Sequence, residues 1–325
     1  MKLPRRKLLQ LAVSAAALPA ASRIARAQAY PSRPLRWIIG FPPGGGADTV
    51  SRIMGQWLAE RLGQPVIIEN RPGASTNIAV QAVINSPPDG YTLLFLGLSS
   101  VINASLFANL PFDAKRDIAP VAGLTDYPMV LVAHPSVPAK TVAELITQAK
   151  ANPDKISMAS FGTGSISHLA GELFKSMTRI NMVHVPYRGS APMLLDLVSG
   201  RVQVGFDVIA PSLPHIRSGA LRALAVAGAK RFDLLPDVPT IAETVPGYEA
   251  GTWAGVGVPT GTPPEIIAKL NLEINAGLAV PAIRARLVDM GTVPMVLSAA
   301  QFGDYIAAEF AKWDKVVKSA GIKPE

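Results

Sequence analysis

The sequence predicts an α/β protein of two lobes, and three observations carry that reading. Short apolar runs rich in Val, Ile and Leu recur along the 325 residues, as strands buried on both faces of a parallel sheet do. Segments with apolar residues at helical spacing separate these runs, so strand and helix alternate as in βαβ units. A chain of this length also closes a substantial core and divides naturally in two.

Strands are predicted at Leu35–Phe41, Pro65–Glu69, Thr92–Gly97, Met129–Ala133, Ile156–Phe161, Met182–Pro186, Val202–Val208 and Leu221–Val226. After the first, Val50, Ile53, Met54, Trp57, Leu58 and Leu62 follow the i, i+3, i+4, i+7 pattern, and Gly63 can end that helix. After the fifth, Ile166, Leu169, Ala170, Leu173, Phe174 and Met177 nearly repeat the spacing. Two stretches, "GLTDYPMVLVAHPSVPA" and "PGYEAGTWAGVGVPTGTPP", combine an extended apolar run with proline and glycine at its edges. A helical block from Pro264 to Ala320 then needs a sheet to pack on, and the first lobe is its natural host. The expected division is a discontinuous first lobe, residues 30–127 and 253–325, around an inserted second lobe, residues 128–252. Two crossing strands would form a hinge between them.

The formal charge of +8 raises the question of a nucleic-acid or membrane partner. Six of the 31 basic residues precede residue 28, where there is no acid, leaving 25 against 23 acidic residues in the remainder. The body is nearly neutral and lacks an electrostatic nucleic-acid footprint. The basic residues belong to a leader: a charged head, an Ala/Leu-rich stretch from Leu8 to Ala21, and small-x-small cleavage options ending at Ala27 or Ala29. Residues 1–27 therefore read as an export signal. "RRKLL" leaves both the twin-arginine and the general secretory route open, since Pro4 and Leu8 depart from the twin-arginine pattern. The apolar stretch is short for a membrane span. The absence of cysteine excludes disulfides, thiolate metal sites and a lipoprotein anchor. A protein free in the periplasm is expected.

The first candidate site is "FPPGGGAD", Phe41 to Asp48, between a strand and a helix. Gly44, Gly45 and Gly46 let the backbone turn tightly and let an anion approach its N–H groups. Asp48 or Thr49 can cap the helix, whose first donors and positive dipole end suit a carboxylate or a phosphate. A plain tight turn is the alternative. No Lys-Ser/Thr follows the glycines, and their spacing is not G-x-G-x-x-G, which argues against a nucleotide. "ISMASFGTGSISHLAGELF" is the second candidate: Gly162 and Gly164 free the backbone, while Ser160, Thr163, Ser165 and Ser167 offer hydroxyls. One such loop in each lobe would aim two helix N-termini into one cleft, an arrangement suited to a small anionic molecule.

Catalytic signals are weak. His168 and Glu172 have an i, i+4 spacing that can serve a metal, but no third ligand is apparent, so no metal is assigned. Ser165 or Ser167 with His168 and Asp207 lacks the G-x-S-x-G elbow of a serine nucleophile. Asp207, at a strand end, is open to a cleft role or a turn-capping role. Trp57, Trp253 and Trp313 are assigned to core or hinge packing. No enzyme activity and no cofactor are expected.

In order along the chain, "FPPGGGAD", "ENRPGASTNIA", "SPPDGYTLL", "SVINASLF", "HVPYRGSAPMLLDLVSGRVQVGFD", "PHIRSGALRALAV" and "LPDVPTIAE" resemble the tripartite tricarboxylate transporter substrate-binding proteins, also called Bug proteins. The resemblance implies a periplasmic-binding-protein fold of the type II kind, each lobe a mixed, mainly parallel sheet flanked by helices. It implies a monomer that closes on a small organic acid and passes it to a two-component membrane permease. Carried over by motif, the first-lobe ligand residues are Phe41, Gly45, Gly46, Ala47 and Asp48, with Ser75 beside the pocket and Ser99 and Ser100 after the third strand. In the second lobe they are Ser160, Gly164, Ser165, Ser167, His168 and Asp207. Ala47 stands where family members often carry Thr or Ser, and "RPGASTN" where "RPGAGGN" is usual, so Ser75 and Thr76 either narrow the pocket or add hydroxyls. A sensor partner using the same cleft, and a periplasmic hydrolase built on Ser165, His168 or Asp207, are the competing functions.

Overall fold

A computed structural model of the chain describes residues 30–107 and 109–321. The expected export leader lies outside the described residues. Strand β1 (Leu35–Ile39) leads to α1 (Gly46–Leu62), β2 (Val66–Asn70), a 3-10 turn at Ala74–Thr76, α2 (Asn77–Ile84) and β3 (Thr92–Gly97). Helices α3 (Leu98–Leu106) and α4 (Ala114–Asp117) precede the long β4 (Ile118–Ala133). Helix and strand then alternate: α5 (Val142–Ala151), β5 (Ser157–Ser160), α6 (Ile166–Thr178), β6 (Val183–Pro186), α7 (Ser190–Val198), β7 (Val204–Val208), α8 (Ile209–Arg217) and β8 (Arg222–Val226). The remaining elements are β9 (Gly251–Pro259), α9 (Pro264–Ala279), α10 (Pro281–Asp289), β10 (Val293–Pro294) and α11 (Ala299–Ala320).

The strands run in the order β2-β1-β3-β9-β4-β7-β5-β6, with β8 and β10 also paired to β4. Both wings are parallel: β1 lies between β2 and β3, and β5 between β6 and β7. The centre is antiparallel, because β9 pairs with both β3 and β4. The first part of β4 (Ile118 to Pro128) pairs with β9, and the rest (Met129 to Ala133) with β7 and β8. β4 thus joins the two wings, and its register with β9 shifts twice on the way. The fold class is the mixed α/β arrangement expected from the sequence.

The first half of β4, and β9, are not among the eight predicted strands but overlap the two stretches expected to be extended, and packing explains why their bounds were not read. A Cβ on Gly255 would lie 2.1 Å from the Phe302 ring, and one on Gly123 2.7 Å from Met295. Glycine is required there by close approach of α11 and its preceding segment, although in sequence it reads as punctuation. Helix ends follow local chemistry. α1 stops at Gly63 in the left-handed region (φ 67°), and α11 starts from a Ser298–Gln301 capping box.

One face of the β1–β3 wing buries Leu35, Trp37 and Ile39 against Val50, Met54 and Leu58 of α1 and Leu270, Ile274 and Leu278 of α9. The late helical block therefore does pack on the first wing. Each such side chain stabilises the fold by about 1.5–3 kcal/mol relative to exposure. Trp57 ties α1 to α9 by donating its indole N–H to Glu273 O at 2.8 Å. α11 lies against α3 and β4 and also touches α6.

Candidate functional site

Between β1 and α1 the chain turns through Gly40–Gly45. A Cβ at Gly40 would lie 2.5 Å from that of Thr76, and Gly44 has φ +85°, so both positions favour glycine for steric reasons. The hub of the turn is Asp48, buried in the first turn of α1. Its Oδ2 accepts from Gly44 N (2.9 Å) and Arg52 Nε (2.8 Å), and its Oδ1 from Arg52 Nη2 (2.9 Å) and Asn70 Nδ2 (3.0 Å). Hydrogen bonds from Arg52 hold the Asp48 carboxyl down at about 2, with Gly44 and Asn70 adding to the effect. The N-cap, Gly45, has no side chain to bond the first-turn amides, so the N–H groups of Gly46 and Ala47 have no partner among the described residues. That helix end is open.

Between β5 and α6 the second loop is closed upon itself. Ser165 caps α6, accepting from His168 N (3.3 Å) and donating to Gly162 O (2.6 Å). Gly164 N donates to His168 Nδ1 (3.1 Å), and Gly162 N to Ser160 Oγ (3.3 Å). His168 Nδ1 accepts from Gly164 N, and Nε2 of the same ring lies 3.6 Å from Glu172 Oε1. The ring stacks on His184 at a centroid distance of 3.7 Å, and His184 Nε2 meets Ser160 Oγ at 2.6 Å. Burial, and then the His168 ring, push His184 down to about 4.

A cavity of about 890 Å³ lies between the two loops. Of the residues expected from sequence, Phe41, Gly45, Gly46, Ala47, Ser75, Ser99, Gly164 and Ser165 line it. Asp48, Ser100, Ser160, Ser167, His168 and Asp207 do not. Asp48, Ser160 and His168 hold the loops from behind. Ser167 Oγ donates to Phe206 O and accepts from Phe161 N. Ser100 is buried beside a separate 270 Å³ cavity under α11. Asp207 Oδ2 accepts from Ser190 and Ser212 (2.8 and 2.9 Å), its Oδ1 is buried without a partner, and burial pushes the acid up to about 6. None of these six lines the cavity between the loops. The expected picture of two helix ends aimed alike into one cleft needs the same correction: both line the cavity, but the second is capped.

Several lining residues carry no anion-binding signature in sequence. Phe95, Ile102, Leu106, Phe107 and Phe161 form apolar wall, and Tyr127, Thr252 and Trp253 come from β4 and β9. Trp253 is buried, its indole donating to Glu309 Oε2 at 3.1 Å, but it also lines the cavity. The turn Ala74–Ser75–Thr76 is left-handed at three successive non-glycine residues (φ 45°, 51° and 77°), a costly conformation held by Asn103 Nδ2 donating to Ser75 O at 2.6 Å. It brings both Ser75 and Thr76 to the cavity, adding hydroxyls there. The lining holds no Asp, Glu, Lys, Arg or His. Among the described residues no group of three potential metal-ligating side chains occurs, and no single helix is long and apolar enough to cross a membrane.

A two-winged α/β sheet with a large uncharged cavity between glycine-rich loops is the design of a solute receptor. The family model described as "Tripartite tricarboxylate transporter family receptor" matches residues 50–322. The chain belongs to that family of periplasmic solute-binding proteins. It is 38% identical to protein BugT of Bordetella pertussis over 300 residues, covering 91% of this chain and 92% of the relative. Among solved structures it is similar to Rpa4515 of R. palustris with adipate (38% identity, TM-score 0.76, 91% of this chain and 100% of that one). It is likewise similar to MatC of Rhodopseudomonas palustris with bound malate (33% identity, TM-score 0.71, 89% and 100% covered).

Proposed function

We propose that this chain is exported with cleavage near Ala27 or Ala29, binds a small organic carboxylate in the cavity between its two loops, and delivers it to a two-component membrane permease. The observation that carries the reading is the uncapped first turn of α1, with the Gly46 and Ala47 amides at a cavity that holds no charged side chain. Such amides, with the helix dipole behind them, favour an anion without a counter-charge. The adipate and malate bound by the two similar proteins support a carboxylate. Residues 30–127 with 253–325 form one lobe and residues 128–252 the other, and β4 and β9 serve as the hinge on which a monomer closes over its ligand.

Thermal unfolding of the purified protein against a panel of mono-, di- and tricarboxylates tests the binding step. Stabilisation of about 2.7 kcal/mol is expected at a ligand concentration 100 times Kd. No shift with any acid would refute it. Loss of carboxylate uptake on deleting the gene tests delivery.

A further inference from the structure

The character of the cavity wall says what kind of carboxylate the site takes, granted that it takes one. We infer that the site selects carboxylates with an apolar body, an aromatic ring or an unbranched aliphatic chain, over acids that carry hydroxyls or further carboxylates close to the first. The inference rests on the carboxylate-binding reading above and narrows it.

Open donors and apolar surface are unevenly placed. Unpartnered backbone donors stand at the cavity at the start of α1, where Ala47 adds a methyl group and no hydroxyl, and at the start of α3, where the N-cap Gly97 has no side chain to bond the first turn. Across the cavity, the Gly164 amide is engaged by His168 and the Ser165 hydroxyl by Gly162 and His168. Asn103 is turned to Ser75 and Asn77, and Ser99 Oγ lies 3.2 Å from Thr76 Oγ1. Much of the surface between is Phe41, Phe95, Leu106, Phe107, Phe161 and Trp253, with Phe41 and Phe95 edge to face at 6.0 Å. A ring or chain placed there leaves water for a matching surface.

A second carboxylate beside the first would be desolvated against that wall with no cation in the lining to meet it. A hydroxyl there would give up its water for hydrophobic contacts.

Calorimetric titration of the full mature chain with hexanoate, phenylacetate, L-malate and citrate tests this, with hexanamide as the uncharged control. Hexanoate or phenylacetate should bind at least tenfold more tightly than malate and citrate. Phe107→Ser, at the half-buried end of α3, should weaken the two apolar acids about fivefold and leave malate unchanged. Malate or citrate binding as tightly as the apolar acids would overturn the selectivity and leave carboxylate binding intact. No binding by any acid, or hexanamide matching hexanoate, would overturn the carboxylate reading itself.

Discussion

The two glycine-rich loops come from nearly the same sequence plan, and the structure caps the helices that follow them differently. Each follows an apolar strand and precedes an amphipathic helix. In "FPPGGGAD" the capping position is Gly45, and the one acidic side chain, Asp48, points back to fasten the turn through Gly44. The helix donors stay open. In "FGTGS" the capping position is Ser165, whose hydroxyl takes the His168 amide while His168 Nδ1 takes the Gly164 amide, leaving the Ile166 and Ser167 amides without a partner among the described residues. A glycine-rich loop before a helix is an anion site only where nothing in the chain already occupies its donors. One residue at the cap decides the difference.

The largest effect should come from covering the open donors. A Cβ at Gly46 would meet only the Tyr127 ring, at 3.9 Å, so Gly46→Val folds but lays a branched side chain over the amides. Carboxylate affinity should fall about 100-fold, or about 2.8 kcal/mol, with little change in unfolding temperature, read by titration and thermal denaturation together. Retained affinity would place the anion elsewhere.

Removing the fastener of the first loop comes next. Asp48→Ala leaves the Gly44 amide, Asn70 and Arg52 without their common acceptor. A loss of about 2 kcal/mol in stability is expected from deleting a buried, charge-assisted hub, with at least tenfold weaker binding. Denaturant unfolding with and without ligand measures both. Unchanged binding would mean that the loop keeps its shape without the carboxylate.

The fasteners also differ in their response to acid. Asp48 is held down at about 2, below its ordinary value near 4, so its contribution is complete above that ordinary value and is lost only as pH falls through about 2. His184, behind the second loop, is pushed from its ordinary 6.5 down to about 4. The folded chain therefore binds fewer protons than the unfolded one between those values, and stability is lost as pH falls from 6.5 to 4. Half-buried Asp126, raised to about 7 mainly by desolvation and then by Glu249 and Glu309, works in the opposite direction over much of this range. The useful quantity is thus the difference between the wild type and His184→Gln. It should change by on the order of 1 kcal/mol across that window, after allowing for solvent at the ring, and be flat above it. A pH-independent difference would remove His184 from the account.

How much of this was legible follows from what each feature depends on. The wing strands could be read because burial on both faces writes an unbroken apolar run. β9 and the first half of β4 overlap the two stretches read only as extended crossing runs, and their bounds were blurred because Gly123 and Gly255 are set by the approach of Met295 and Phe302 from distant segments. The glycine loops were visible as loops, and so were eight of the residues that line the cavity. Asp48 and His168 were expected at the ligand and instead bond within their own loops, a difference that sequence cannot show because a polar residue beside a binding loop looks the same in either role. The aromatic wall was missed for a related reason: Phe95, Phe107 and Trp253 meet only in three dimensions, on β3, after α3 and on β9.

The smallest expected change gives the finest test of the contrast. Sequence alone makes Ser165 a natural carboxylate ligand, and its removal should then weaken binding by about 0.5–1.5 kcal/mol. In the structure its hydroxyl is committed at both ends, donating to Gly162 O at 2.6 Å and accepting from His168 N at 3.3 Å. Ser165→Ala should therefore act as the loss of a helix cap, lowering stability by about 1 kcal/mol, while affinity falls less than about twofold, under about 0.4 kcal/mol. An uncapped α6 also regains an open first turn, so the variant offsets part of its own damage by offering an anion a new amide. If affinity instead drops tenfold with stability unchanged, the Ser165 hydroxyl leaves Gly162 for the ligand, and the two loops are more alike than their hydrogen bonds make them here.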